Sequence, residues 1–211
     1  MTVKNLQFLN NVENRDTFFQ RVHTFVLPYH RDALLIAKAY QMSKDAFRGV
    51  KRKRGERYFE HCRATALILI EVFGIRDPEM IIAALLHDII EDCGWTREQI
   101  ATEFGNKVGF LVDGVSMPEG NFVNREERIS AYHQKFLTAM TFDDRVLFIK
   151  LADRLHNLFT CEAMSFERQL RMIDETEALY IPLAKEKGIH SHDLLAVIQE
   201  RKENMMDPTD T

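Results

Sequence analysis

The chain has 211 residues, 45% hydrophobic and 28% charged, with a formal net charge of −4. That balance fits one or two globular domains with a real core and argues against a surface that binds nucleic acid generally. Its three cysteines, Cys62, Cys93 and Cys161, are odd in number and lack Cys-x-x-Cys spacing, which argues against a disulfide framework or zinc knuckle and makes a reducing cytoplasm the expected setting.

Taken in chain order, the sequence reads as helical almost throughout. Only nine Gly and five Pro interrupt it, and no clean alternation persists. Met1–Asp16 has no apolar h-region, so no secretory signal is expected. Helices are expected near Arg15–Val26, Arg31–Phe47, Tyr58–Phe73 and Pro78–Glu91, then Arg97–Phe104, Lys107–Val115 and Arg125–Ala139, and finally Asp143–Met164, Phe166–Glu186 and His192–Asn204. Asp77-Pro78 is an N-cap followed by Pro at the first helical position. Thr96–Gln99 has the capping-box pattern, and Gly74, Gly105 and Gly188 stand at helix stops. Met117–Asn124 is the clearest loop, and Asp207–Thr211 reads as a frayed, disordered tail. The longest apolar runs, Ala64–Ile70 and Met80–Leu86, are too short to span a membrane. The expectation is one all-α domain of about ten helices over 1–206.

The most informative segment is His87-Asp-Ile-Ile-Glu-Asp92, directly after the apolar run Met80–Leu86. If Pro78–Glu91 is one helix, His87 and Glu91 share a face, and Asp88 and Asp92 share the next. A lone His-Asp pair is usually a core histidine satisfied by its neighbour. Three carboxylates beside an apolar helix are harder to satisfy, because they cannot all stay ionised there without a cation. Asp153, bracketed by Leu151, Ala152, Leu155 and Leu158, is a second acid pointing partly inward. His61 precedes an apolar run in a helix expected to pack beside Pro78–Glu91. Two imidazoles and two carboxylates (His61, His87, Asp88, Asp153) form a mixed N/O donor set that suits Mn²⁺, Fe²⁺ or Zn²⁺. The basic run Lys51-Arg-Lys-Arg-Gly-Glu-Arg57 lies just before His61. Usually such a run is a solvated loop, but here it would face a substrate carrying several phosphates.

The order of these motifs resembles the hydrolase domain of the RelA/SpoT family, the stringent-response enzymes acting on (p)ppGpp, and the small alarmone hydrolases built from that domain alone. The matching pieces are Arg52–Glu56 with Tyr58–His61, Ala83–Asp92, Phe104-Gly105, Leu111–Val115, Asp144–Val146, Ile149–Asn157 and Tyr180–Ala184, within a motif-bearing core of 46–188. The resemblance implies an HD-type helical domain that removes the 3′-pyrophosphate from ppGpp or pppGpp, giving GDP or GTP and pyrophosphate. It implies His61, His87, Asp88 and Asp153 as ligands of one Mn²⁺, with Glu91 and Asp92 positioning and activating water. Arg52 and Lys53 would contact base and phosphates, and Asn157, Thr160 and Tyr180 would line the nucleoside pocket. Cys62, Ser116-Met117 and Arg54 depart from the family's usual Pro, Thr-Lys and Ser. Alternatives are the same fold acting on ppApp or NADPH, and a non-catalytic nucleotide-binding protein. A free-standing hydrolase without a synthetase is expected, with a nucleotide as its small-molecule partner and neither nucleic acid nor membrane. Association into a homo-oligomer and a cognate alarmone synthetase as functional antagonist are left open.

Overall fold

Helices begin where the sequence supplies caps. The Asp77 side chain accepts from the Glu79 N–H at 2.9 Å, with Pro78 at the first helical position. Thr96 and Gln99 close a reciprocal capping box at 2.9 and 3.2 Å. Asn124 accepts from the Glu127 N–H at 2.8 Å. In the computed structural model, which describes residues 6, 8, 9, 14–26 and 29–206, the helices are α1 (Arg15–Val26), α2 (His30–Ala46), α3 (Tyr58–Glu71), α4 (Pro78–Leu86), α5 (Ile89–Cys93) and α6 (Arg97–Phe104). They continue with α7 (Asn106–Val115), α8 (Arg125–Phe142), α9 (Arg145–Phe159), α10 (Phe166–Glu175), α11 (Ile181–Glu186) and α12 (His192–Met206). The loop at 117–124 is as expected. Among the described residues the extended pairing is a single bridge, Lys51 to Arg57, and no helix is long and apolar enough to cross a membrane. The expected tail at 207–211 lies outside the described residues.

The all-α expectation holds, but three expected helices are divided. Pro78–Glu91 is not one helix. It stops at Leu86, turns through His87 and Asp88, and resumes at Ile89. Asp88 sits at φ −99°, ψ 0°, in the sparsely populated bridge between the helical and extended regions. Phe166–Glu186 contains a π-helical turn at Thr176–Tyr180, in which the Ile181 N–H reaches back to the Thr176 carbonyl. Pro182 stands two residues past its end, and a proline ring crowds the carbonyl four residues earlier, inside the turn, so the widened turn accommodates it. Likewise, the expected Asp143–Met164 helix ends at Phe159 and passes into a 3₁₀ turn, Cys161–Ala163.

The core positions the site. Every residue from Met80 to Leu86 is buried, and a helix apolar all round belongs at the centre of a bundle. Accordingly α4 packs against α2, α3, α7 and α9, while α3 and α9 also pack on one another. These three mutually packed helices bring distant chain segments to one point. Gly109 allows α7 close to α6, since a Cβ there would lie 2.9 Å from the Arg97 carbonyl and 3.0 Å from Ala101 Cβ. The three cysteines are free thiols.

Candidate metal centre

Where α3, α4 and α9 meet, His61, His87, Asp88 and Asp153 converge. His61 Nε2 and His87 Nε2 are 3.1 Å apart. Asp88 Oδ2 lies 3.1 Å from His87 Nε2 and 3.5 Å from His61 Nε2. Asp153 Oδ1 lies 3.1 Å from His61 Nε2 and 3.6 Å from His87 Nε2. Both histidines and Asp153 are buried, and Asp88 is partly exposed. One donor atom each from His61, His87 and Asp88 falls within a 4.8 Å cluster. Donors held at about 2.0–2.2 Å around one first-row ion stand roughly 3 Å apart, so the donor set fits a divalent metal. The break after Leu86 contributes to this. It lets His87 and the adjacent Asp88 both face the cluster, which successive residues of an unbroken helix, about 100° apart, do less readily.

The Nδ1 protons of His61 and His87 are directed away from the cluster. His87 Nδ1 lies 2.8 Å from the Ala84 carbonyl, an acceptor only, so Nδ1 carries a proton and Nε2 faces the acids. His61 Nδ1 lies 2.8 Å from His156 Nδ1. Burial, then the charges of His61 and Arg52, hold the His156 pKa well below the usual range, so His156 is neutral and can accept. Outer contacts hold the acids. Tyr58 Oη donates to Asp88 Oδ2 at 2.9 Å, and Lys150 Nζ donates to Asp153 Oδ2 at 3.0 Å. Burial works to discharge His87, but the Asp88 charge and the hydrogen bonds to Asp153 and Asp88 hold its pKa up, at about 10.

Glu91 and Asp92 lie on α5, exposed beside the cluster. Desolvation and then the negative charge of Asp88 raise the Glu91 pKa, while the Met117 N–H, donating to Oε2 at 3.3 Å, opposes them. Desolvation also raises Asp92, against a hydrogen bond from Tyr58. Glu91 borders a cavity of about 680 Å³ lined also by Met117, Asn121, Phe122, Arg125 and Arg128.

The basic run is a tight hairpin. The Arg52 N–H donates to the Glu56 carbonyl at 2.9 Å, and the turn closes at Gly55, φ +92°, a left-handed conformation that favours glycine. The hairpin directs Arg52 onto the end of α9. Its guanidinium donates to Thr160 Oγ1 at 3.2 Å and to Asn157 Oδ1, and it lies 3.3 Å from His156 Nδ1. Asn157 Nδ2 in turn donates to Asp153 Oδ1 at 2.5 Å. Arg52, Asn157 and Thr160 are thus brought together beside the cluster, and Lys53 is exposed on the hairpin. Tyr180 is not at this surface. It is fully buried, with Arg154 4.7 Å over its ring, so it has no open face to offer a ligand. Three further residues at the centre, His156, Tyr58 and Lys150, were given no role from the sequence. The signal for His156 was its place three residues after Asp153 on a helix read as facing inward.

Fold and donor set together define a class: an all-α protein with a buried His/Asp cluster able to hold a metal. A family model described as HD domain matches residues 39–190, and the chain belongs to that family. It is similar to the guanosine-3′,5′-bis(diphosphate) 3′-pyrophosphohydrolase of Vibrio cholerae, 41% identical over 157 residues, covering 74% of this chain and 22% of that protein. It also resembles the bifunctional (p)ppGpp synthase/hydrolase SpoT of Escherichia coli K12, 40% identical over 156 residues, with 74% and 22% covered. The GTP pyrophosphokinase of Myxococcus xanthus is 41% identical over 170 residues, with 78% and 22% covered. The chain therefore spans about a fifth of the length of these curated relatives. Among solved structures, a metazoan ortholog of SpoT, described as hydrolysing ppGpp, matches with a TM-score of 0.57 at 23% identity, covering 77% of this chain and 98% of that one. That likeness supports the fold.

Proposed function

We propose that this protein is a metal-dependent hydrolase that removes the 3′-pyrophosphate of ppGpp or pppGpp. The observation that carries this reading is the convergence of His61, His87, Asp88 and Asp153 from α3, the α4–α5 turn and α9. Relatives about 40% identical over three-quarters of the chain, named for this reaction, support the substrate class. Those four residues would hold one Mn²⁺, the ion the RelA/SpoT resemblance implies. A bound divalent ion supplies Lewis-acid polarisation of a phosphoryl oxygen and of the attacking water.

The chain's own groups do the remaining work. Glu91, with its raised pKa, accepts the proton of the water that attacks the phosphorus bonded to the ribose 3′ oxygen. The bond between that phosphorus and the 3′ oxygen breaks, the 3′ oxygen takes up a proton, and pyrophosphate leaves carrying the water oxygen. Asp92, linked to Tyr58, orients that water. Arg52, braced by Asn157 and Thr160, and the exposed Lys53 hold base and phosphates from one side. Tyr180 acts from behind, as a platform for Arg154. A cytoplasmic setting follows from the substrate class.

Release of pyrophosphate from ppGpp and ppApp, and of orthophosphate from NADPH, each with and without Mn²⁺, tests the reading. Mn²⁺-dependent pyrophosphate from ppGpp is the expected result. Preferential turnover of ppApp or NADPH would move the substrate assignment, and binding of ppGpp without turnover of any of the three would leave a nucleotide-binding protein.

A further inference from the structure

Asp153 is gripped at both oxygens, and the two grips differ. Oδ1 faces the imidazoles at 3.1 and 3.6 Å and accepts from Asn157. Oδ2 points away and accepts from the Lys150 ammonium at 3.0 Å. Lys150 precedes Asp153 by three residues on α9, so it lies on the same face. Its side chain is only 15% exposed, and its Nζ stands 5.1 Å over the Tyr132 ring, a favourable seat for an ammonium. Turning the carboxylate to bring Oδ2 to the cluster would break the Lys150 contact and displace the Asn157 bond together. Unlike Asp153, Asp88 takes its tyrosine hydrogen bond on the same oxygen that faces the histidines.

We infer that Lys150 is a positioning residue that restricts Asp153 to donating one oxygen to a bound metal. Carboxylates can donate one oxygen or two, and a second from Asp153 would compete with water and substrate for the ion. The ammonium also offsets one of the two carboxylate charges in the donor set, which favours an anionic substrate. This inference rests on the metal-centre reading above and is independent of which nucleotide is hydrolysed.

Cobalt(II) substitution tests it, because the visible absorption of Co²⁺ weakens as donors are added. Wild-type protein, Lys150→Met and Lys150→Arg would be loaded with Co²⁺ alone, without nucleotide, and their cobalt content measured. The expected result is unchanged stoichiometry in all three, a loss of visible intensity in Lys150→Met, and recovery in Lys150→Arg, which restores a cationic donor. Turnover in Lys150→Met should fall about 10–100-fold, as for other groups that orient a ligand. An unaltered spectrum in folded Lys150→Met overturns the inference, as does loss of cobalt from it, which would make Lys150 necessary for assembly. A wild-type crystal soaked in Mn²⁺ keeps the test independent of how the variants fold: Asp153 bound through one oxygen supports the inference, and through both overturns it. Wild-type protein that takes up Co²⁺ but hydrolyses no ppGpp would refute the substrate reading while leaving the Lys150 result standing.

Discussion

His61 Nδ1 and His156 Nδ1 are 2.8 Å apart, a bond that needs one proton between two imidazoles. With the proton on His61, its Nε2 lone pair is left for the cluster. His156 suits the acceptor role because burial keeps it neutral. His156 therefore fixes the tautomer and the ring plane of a proposed metal ligand. Replacing it with Ala should lower Mn²⁺ affinity or activity about 10–100-fold, the usual cost of losing such a partner. Equilibrium dialysis of the variant checks this, and wild-type affinity would show that His61 needs no such support.

Glu91 gives a sharper division between binding and chemistry. It lies on α5, beyond the donor residues, and its contact is the Met117 N–H. Glu91→Gln should keep metal occupancy while turnover falls about 10²–10⁴-fold, the range of general-base assistance. Asp153→Ala, by contrast, should lose the metal. The pair is read by metal analysis alongside initial rates, and wild-type-like rates in Glu91→Gln would remove Glu91 as the base.

The raised Glu91 pKa sets the direction of the pH dependence. Desolvation and the Asp88 charge both disfavour its carboxylate. A base works only when deprotonated, so activity should fall as pH drops through this raised value. The acid limb of kcat/KM against pH should therefore lie above 4.5, the ordinary glutamate value, and should disappear from the residual activity of Glu91→Gln. A limb at or below that value in the wild type would contradict the assignment.

The sequence carried the helices, the four donors and the two α5 acids because each has a local signature. Asp77-Pro78 and Thr96–Gln99 are chemical caps, and Met80–Leu86 is apolar on every side. What it did not carry depends on backbone detail or on contacts across long separations. The stop at Leu86 rests on the dihedral angles of Asp88, which helix-forming residues on both sides conceal. The burial of Tyr180 follows from a π turn set by Pro182 and from packing under Arg154. The Arg52–Asn157 bond joins residues 105 positions apart, and only the packing of α3 on α9 brings them together.

Loading the metal should release a proton. In the metal-free protein Asp88 and Asp153 outweigh burial and hold the His87 pKa at about 10, above its ordinary 6.5, whereas burial and Arg52 lower that of His61. At pH 7–8 His87 is therefore protonated and His61 neutral. A metal needs the His87 Nε2 lone pair, so uptake should expel about one proton, and affinity should rise with pH until His87 deprotonates on its own. Titrating Mn²⁺ calorimetrically in buffers of different ionisation enthalpy counts that proton. Uptake with no proton released would place His87 outside the ligand set.

The cavity beside Glu91 provides the last expectation. Arg125 and Arg128, three apart on the first turn of α8, both line it, and neither guanidinium forms an ion pair among the described residues. Glu91 and Glu119 share the same wall, so the cavity is not uniformly positive and an anion there would depend on those two side chains. Arg52 and Lys53 do not line this cavity, so for the proposed substrate, which bears two diphosphates, the α8 pair would be a second place for phosphates beside Glu91. Because both arginines are exposed, water screens their contacts, and each should contribute roughly three- to tenfold to kcat/KM rather than the larger factors of a buried pair. Replacing both with Ala should raise KM with little change in kcat or in Mn²⁺ content, and the effect should shrink as salt is added. Steady-state kinetics at two ionic strengths decide it: an unchanged KM at low salt would mean that the polyphosphate chain does not enter this cavity.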